Sequence, residues 1–489
     1  MASYCKRRGL IFPTSEIYGQ IPGFYDYGPL GVELANNVKQ LWWKTFVQDR
    51  EDVIGIDGSI ITNPLVWKAS GHADSFTDPL TECFKCHKRF RADHLLEDAL
   101  SKAIDGLKKE ELTKLILDNK IRCPECKGEL SEVRDFNQMF STSIGAVEGN
   151  KAYLRPETAQ SIFADYKAVM DSTRIAPPFG IAQVGKAFRN EISPRNFIFR
   201  KREFEQMEIE FFTMTDKKND CPCFDEVKSL KMNILSAVNQ EKGISTAESL
   251  SVRQAFEDKI FSNKWHAYWT ATFYQWYIDL GVDPKKLRLR QHMKKELSFY
   301  SAGTVDIEYE FPLGFKELQG IADRTTYDLT QHQNLSKQNL EYFDEESKKK
   351  ELLYVACEPS VGVERLLLML LFNGLKEEKE RTVLKIVPKL APYKVGVFPL
   401  IKKDLEPKSR EVYKLLKEEF TCFYDESGSI GRRYRRQDEI GTPYCLTIDY
   451  DTLKDESVTL RMRDSMKQER VKISQLVTVL RDKIKKSIA

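Results

Sequence analysis

Phe188-Arg189-Asn190-Glu191, a basic loop, and then Arg200-Lys201-Arg202-Glu203-Phe204-Glu205-Gln206-Met207-Glu208 is the stretch on which the reading of this chain turns. A strand, a long Arg-bearing loop and a returning strand make an antiparallel hairpin. Period-two alternation places Phe204, Gln206 and Glu208 on one face of the second strand, and Arg189 and Glu191 likewise share a face. Interleaved cations and carboxylates are costly to bury unless they meet charged ligands. A salt-bridged solvent face is the other arrangement this spacing allows.

A second segment, Glu358-Pro359-Ser360-Val361-Gly362-Val363-Glu364-Arg365, runs into Leu-Leu-Leu-Met. A strand ends, a tight turn follows, and an apolar helix begins with an arginine in its first turn. The helix dipole disfavours a cation there. Arg365 therefore either serves a ligand or pairs with nearby carboxylates.

The rest of the chain bounds what such a hairpin can belong to. Its 489 residues suggest two to four domains. Lys+Arg 76 against Asp+Glu 73 argues against a wholly polybasic nucleic-acid binder, while a local basic face stays open. The longest apolar run, Leu366–Phe372, is far short of the roughly 18–20 residues that span a bilayer. The N-terminus has no apolar core of a signal peptide, so a cytoplasmic protein without a membrane is expected.

Leu30, Leu34, Val38, Leu41, Trp42 and Phe46 recur at helical spacing, and Val53–Ile61 reads as a strand. Residues 215–300, with aromatics from Trp265 to Tyr277, read as an insertion whose core those aromatics form. Residues 303–330 read as two strands joined through Pro312-Leu313-Gly314. Ala391-Pro392-Tyr393 marks a boundary, which gives a catalytic unit at 1–388 and a small α/β domain at 389–489. Gly180-Ile-Ala-Gln-Val-Gly185-Lys186-Ala187 approaches a P-loop but lacks its Ser or Thr, and a strand entering a loop fits it better.

Cys83-Phe-Lys-Cys86 and Cys123-Pro-Glu-Cys126 have zinc-ribbon spacing. Four thiolates suit a closed, structural tetrahedral Zn²⁺ site, and reduced structural thiols are the alternative. The long gap between the knuckles implies a helical insert at about 95–119, inside an insertion at about 80–130. Cys221-Pro-Cys223 has no partner knuckle.

The hairpin and the Glu358 segment resemble motifs 2 and 3 of class II aminoacyl-tRNA synthetases, with Gly58-Ser-Ile-Ile61-Thr-Asn-Pro64 as motif 1. Tyr153-Leu-Arg-Pro-Glu157-Thr-Ala-Gln160, Arg91-Ala-Asp-His94, Glu317-Leu-Gln-Gly-Ile-Ala-Asp-Arg324 and Gly428-Ser-Ile-Gly-Arg-Arg-Tyr434 resemble the glycyl-tRNA synthetases of the single-chain, homodimeric type. The resemblance covers nearly the whole chain. Asp57 stands where motif 1 usually has a basic residue. Ser360 replaces the first motif 3 glycine, as expected for the glycine-specific family.

The resemblance implies an α+β fold: an antiparallel catalytic sheet flanked by helices, plus a C-terminal α/β anticodon-binding domain. It implies a homodimer that joins glycine to ATP and then to tRNA(Gly). Arg189, Arg365 and Glu317 would be catalytic. Arg189 would hold the α-phosphate, beside Asn190, and Glu191 would accept from the adenine amino group. Phe204 would stack on one face of adenine and Arg365 on the other. The loop Phe199, Arg200, Lys201, Arg202 and Glu203 would touch ATP and the tRNA end. Glu317, next to Leu318, would carry Mg²⁺, with Glu358 as a possible second ligand. Gly362, Val363 and Glu364 would complete the ATP site.

Glycine has no side chain to read, so selection must come from exclusion. By resemblance Glu157, Glu208 and Glu358 would grip its ammonium, Ser360 would sit over Cα, and Arg91 would reach the substrate region. The segments Phe204-Glu205-Gln206-Met207-Glu208 and Glu358-Pro359-Ser360-Val361-Gly362 would form the pocket. Three carboxylates gathered for one ammonium are expected to have raised pKa values when the site is empty. Arg432, Arg433, Arg435 and Arg436 would meet tRNA. A serine, threonine or proline enzyme is opposed by this carboxylate set. A non-catalytic, nucleic-acid-binding relative is opposed by the presence of Arg189, Glu191, Phe204 and Arg365.

Overall fold

The structure, a computed structural model, describes residues 1–101, 104, 107–146, 149–194 and 196–486. Arg195 of the basic loop and residues 102, 103, 105 and 106 of the expected helical insert lie outside them.

Pro29 opens helix α1 (Pro29–Trp43), where its missing N–H costs nothing. The helix buries Leu34, Val38 and Trp42, and a π-turn carries it to Gln48. Strand β1 (Val53–Ile56) is shorter than the expected Val53–Ile61, because the chain leaves the sheet before the helix at Pro64–Ala69. The sheet continues with β2 (Phe179–Phe188), β3 (Glu203–Thr213), β4 (Lys231–Leu235), β5 (Glu248–Ser251), β6 (Leu287–Gln291), β7 (Gly303–Phe311), β8 (Gly314–Asp323) and β9 (Tyr354–Gly362). Its nine strands lie in the order β5-β4-β6-β7-β8-β9-β3-β2-β1. All neighbours are antiparallel except β1 with β2 and β4 with β6. The expected hairpin is therefore β2–β3, paired from Phe188↔Glu203 to Phe179↔Phe212.

Helices α2 (Ala159–Thr173), α3 (Lys264–Asp279), α4 (Tyr327–Ser336) and α5 (Val363–Gly374) flank the sheet. The aromatic cluster lies on α3, and its role differs from the expectation. Phe46 stacks on Phe273 at 4.2 Å, and Phe211 of β3 meets Trp265 at 4.6 Å. These rings cement α3 to α1 and to the sheet, so they belong to the main core. Residues 231–291 likewise extend the main sheet by β4, β5 and β6 rather than forming a body with a core of its own.

The P-loop-like segment is strand β2. Arg155, buried behind it, donates to the carbonyls of Lys186 at 2.6 Å and Gly58 at 2.7 Å. A Cβ on Gly185 would stand 2.1 Å from its guanidinium, so this glycine answers a close approach and not a phosphate.

The four cysteines sit in a separate layer. Strands Thr77–Glu82, Arg89–Arg91 and Arg134–Asn137 form a three-stranded sheet, with helices Ala92–Leu100 and Lys109–Asp118 packed around Leu96, Leu112 and Ile116. The C-terminal unit has a five-stranded sheet in the order β11-β10-β12-β13-β14, formed by β10 (Val395–Pro399), β11 (Cys422–Tyr424), β12 (Tyr444–Ile448), β13 (Ser457–Met462) and β14 (Gln468–Lys472). It has its own core, with helices α6 (Lys402–Lys417) and α7 (Ile430–Ile440). Among the described residues no helix is long and apolar enough to cross a membrane.

Candidate active site

Alternation along β3 divides its side chains between two environments. Met207, Ile209 and Phe211 enter the core. Phe204, Gln206 and Glu208 line a cavity of about 380 Å³ above the sheet. Strands β8 and β9 supply the rest of the floor, since Ser360 of β9 lies opposite both Glu208 of β3 and Gly320 of β8. Antiparallel pairing thus brings both sequence segments into one cleft.

One end of the cleft is cationic. Arg189, Glu191, Phe199, Arg200, Phe204, Glu317 and Arg365 line it, with His292 just past β6 and Asp306 of β7. Arg365 donates to Glu317 at 2.7 Å, and its guanidinium lies 4.9 Å from the Phe199 ring centre. The charge and hydrogen bond of Arg365, with Arg189 and His292 beyond it, outweigh burial and hold Glu317 below the usual carboxylate range. Arg189 lies over Phe204 at 5.5 Å and donates to the Pro156 carbonyl at 3.0 Å. Burial and the neighbouring Glu317 push Asp306 up to about 6 against the opposing His292, which lies 2.8 Å away.

The other end is anionic. Glu157, Glu208 and Glu358 all line it and are all buried. Gln206 donates to the Ser360 hydroxyl at 3.3 Å, and Thr158 donates from its hydroxyl to Glu208. Burial, then Glu157, raises Glu208. Burial raises Glu358 well above its ordinary value, although Arg324 opposes it. Glu157 goes the other way and departs from the expected pattern. Burial would raise it, but His72 at 3.3 Å and Arg324 overcome that and hold it well below the usual range. The three carboxylates therefore do not form a symmetric trio.

Several expected site residues lie elsewhere. Met207, Val361 and Val363 are core residues on the reverse face. Arg91 is held by Asp93 at 2.8 Å and Asp78 at 3.1 Å in the cysteine layer and does not line the cleft. Glu203 pairs with Lys186, Arg202 donates to the Glu191 and Pro22 carbonyls, and Glu205 pairs with Lys39 at 2.9 Å. Lys201 does line the cleft, but its charge is already taken by Glu364 at 2.9 Å in a buried pair. Asn190 and Pro359 border the cleft without lining it. Glu358 is opposite Ala322, about 16 Å along β8 from Glu317, so the two do not share one ion.

The basic run also changes meaning. Arg433 is 3% exposed and donates to the carbonyls of Pro399 at 2.5 Å and Gly428 at 2.9 Å, which makes it an internal strut rather than a phosphate contact. Arg436 pairs with Asp425 at 2.5 Å, Arg435 reaches Glu380 at 3.5 Å, and Arg432 is exposed.

The sequence reasoning missed Arg324, His72, Asp306 and His292. Arg324 closes the Glu317–Arg324 motif, and its place directly after Asp323 at the end of β8 is the available signal. The four cysteine sulfurs converge, with Cys83 to Cys126 at 3.4 Å and Cys86 to Cys123 at 3.6 Å. Tetrahedral zinc with bonds of about 2.3 Å separates its sulfurs by about 3.8 Å, and the donors fit that geometry.

Residues 394–483 match a family model described as an anticodon binding domain. The chain is 46% identical to the glycine–tRNA ligase of Thermobifida fusca (strain YX), over 99% of this chain and 97% of the relative. It is also 46% identical to that of Clostridium beijerinckii, over 97% and 96%, and 44% identical to that of Caldanaerobacter subterraneus subsp. tengcongensis, over 99% and 98%. A solved structure titled as the RNA binding domain of threonyl-tRNA synthetase from Cryptosporidium parvum Iowa II superposes with a TM-score of 0.62 at 18% identity, covering 98% of this chain and 97% of that one. That likeness concerns the fold.

Proposed function

The chain belongs to the glycine–tRNA ligase family, and from that premise we propose that its cleft activates glycine with ATP and passes the glycyl group to the 3′ end of tRNA(Gly). One observation carries the reading: a cationic end and a three-carboxylate end share a single cleft. A glycine carboxylate oxygen attacks the α-phosphorus, and the bond to pyrophosphate breaks. The terminal ribose hydroxyl of tRNA then takes the acyl group, and AMP leaves. Such chemistry needs positioning and charge stabilisation more than a protein nucleophile.

Arg189 holds the α-phosphate, and Phe204 with Arg365 brackets adenine. Arg365 must then give up its contacts with Phe199 and Glu317 to the nucleotide. Glu157, Glu208 and Glu358 receive the ammonium, while Ser360 and Gln206 close the space a Cβ would need. Mg²⁺, which neutralises phosphate charge, prefers hard oxygen donors. Glu317 with Asp306, three residues along the paired strands at Gly320, suits it better than Glu317 with Glu358. Cys83, Cys86, Cys123 and Cys126 would hold Zn²⁺ in a structural role, because four thiolates would leave it no open position.

Arg432, Arg435 and Arg436 meet the tRNA backbone. Ile60, Ile61 and Leu65 in motif 1, exposed by 36%, 40% and 54%, suit burial against a second copy. A domain division at 388/389 accords with the separate C-terminal core.

The test is glycine-dependent ATP–pyrophosphate exchange with alanine and serine as competitors. Exchange with glycine alone is expected. No exchange from folded, Mg²⁺-supplied protein would sink the reading in favour of a non-catalytic relative.

A further inference from the structure

A fourth carboxylate lies beneath the anionic end. Glu210 is two residues beyond Glu208 on β3 and therefore on the same sheet face. It is 0% exposed, and neither of its oxygens has a hydrogen-bond partner among the described residues. One carboxylate oxygen each from Glu208, Glu210 and Glu358 lie within 4.8 Å of one another. An ionised carboxylate in that position would be unpaired and dry, which is prohibitively costly. Either a proton or a cation must be there.

The partners of the three groups differ. Glu358 receives Arg324 at 2.6 Å, and Glu208 receives the Thr158 hydroxyl. Both contacts favour the ionised form, and at Glu358 Arg324 at hydrogen-bond distance works against a burial that raises Glu358 and Glu210 alike. Glu210 receives neither. Asp328 on α4 adds a further negative charge near Glu210, and Arg324 is the guanidinium that acts on it, bonding Glu358 and Asp328 and reaching Glu157 as well. A proton belongs on the member with no donor of its own, and once there it supplies the donor that Glu358 can use.

We propose that Glu210 is a neutral carboxylic acid that donates its hydroxyl to Glu358, fixing that carboxylate between Arg324 and the ammonium of bound glycine. It is a positioning residue, and this role rests on the glycine reading above. Without it Glu358 turns toward Arg324 alone, and the grip on ammonium loosens. With it ionised, the Glu208, Glu210 and Glu358 trio would carry one negative charge more than a single ammonium and Arg324 can meet.

The test compares Glu210→Gln, which keeps a donor without a charge, with Glu210→Leu in the full chain. In glycine-dependent pyrophosphate exchange, Glu210→Gln is expected to stay within about threefold of wild type in glycine KM. Glu210→Leu is expected to raise it by about tenfold or more, with the ATP KM unchanged, which is the scale of a lost hydrogen bond to a charged group. Wild-type protein should show the infrared carbonyl stretch of a buried protonated carboxylic acid, and Glu210→Gln should lack it. The Gln variant and the infrared band decide the matter even if the Leu variant does not fold. A Gln variant with a glycine KM raised tenfold, or no band that it removes, overturns the proposal in favour of an ionised Glu210 or a bound cation. Wild-type protein without exchange would instead sink the parent reading, and the infrared band would still report on Glu210.

Discussion

Nη1 of Arg324 donates to Oε1 of Glu358 at 2.6 Å, from a side chain only 1% exposed. Its other nitrogens hold Asp328 at 2.8 and 2.9 Å, and the Tyr300 ring lies 4.0 Å from the guanidinium carbon. A planar guanidinium can serve two carboxylates and a ring at once, which an ammonium cannot. This side chain lets several acids stand together in a dry pocket before any substrate arrives.

Replacing Arg324 with Met leaves Glu358 and Asp328 buried without their counter-charge. Breaking one partner out of a buried ion pair costs about 3–5 kcal/mol. Denaturant unfolding should show a loss of that order, and glycine activation should fall by at least about 100-fold. Arg324→Lys should recover part of the stability but little of the activity.

Ser360 stands between Glu208 and Gly320 across three strands. Ser360→Gly should open room at the substrate Cα. Alanine-dependent pyrophosphate exchange should appear, and the preference for glycine over alanine should drop by about tenfold or more. Unchanged discrimination would show that exclusion resides in other side chains.

The cysteine cluster should hold about one zinc per chain. Burial pushes the Cys83 thiol up, but the amide groups of Cys86 and Lys85 and its sulfur neighbours bring it down, while the same neighbours push Cys86 up, so without metal the cluster shares its protons unequally. Chelation, or Cys123→Ser, should release the metal and make residues 77–137 susceptible to protease while the nine-stranded sheet resists. Metal analysis and limited proteolysis read both effects.

Lys394, at the boundary of the C-terminal unit, donates to the carbonyls of Lys389 at 2.6 Å and Ala391 at 2.7 Å. Burial lowers it to about 8, only partly offset by Glu33. Below pH 8 both folded and unfolded chains carry the charge, and the folded one bears the cost of burying it. Between pH 8 and 10.5 the folded state releases a proton that the unfolded chain still holds, so stability rises with pH. Between pH 7.5 and 9.5 the gain should be about 1 kcal/mol after allowance for solvent screening. Lys394→Met should start higher at pH 7.5 and lack this increment in denaturant titrations. Equal changes in both proteins would count against the assignment.

Much of the site was legible from order along the chain. The alternation of Phe204, Gln206 and Glu208 named the face of β3 that looks into the cleft, because side-chain direction in a strand follows from period two. Arg365 stood out because a cation in the first turn of an apolar helix needs an anion, and Glu317 is that anion. The cysteine spacing was sufficient in the same way. The aromatics of α3 were recognised as core, but which core they join was not written locally. Phe46 and Phe211 meet them from elements far away in the chain.

The sequence by itself determined the β2–β3 hairpin, the β7–β8 pair, the residue types that face together, and the family, but not β4, β5 and β6. Only the tertiary structure decided which charges neutralise which. The strand register, set by packing across β3, β8 and β9, puts Arg324 on Glu358, leaves Glu210 with no donor, and moves Glu358 away from Glu317. It also turns Arg433 into an internal strut and drives Met207 and Val361 into the core. A charge is assigned by its neighbours within a few ångströms. Those neighbours are contributed by distant segments whose register no local pattern encodes.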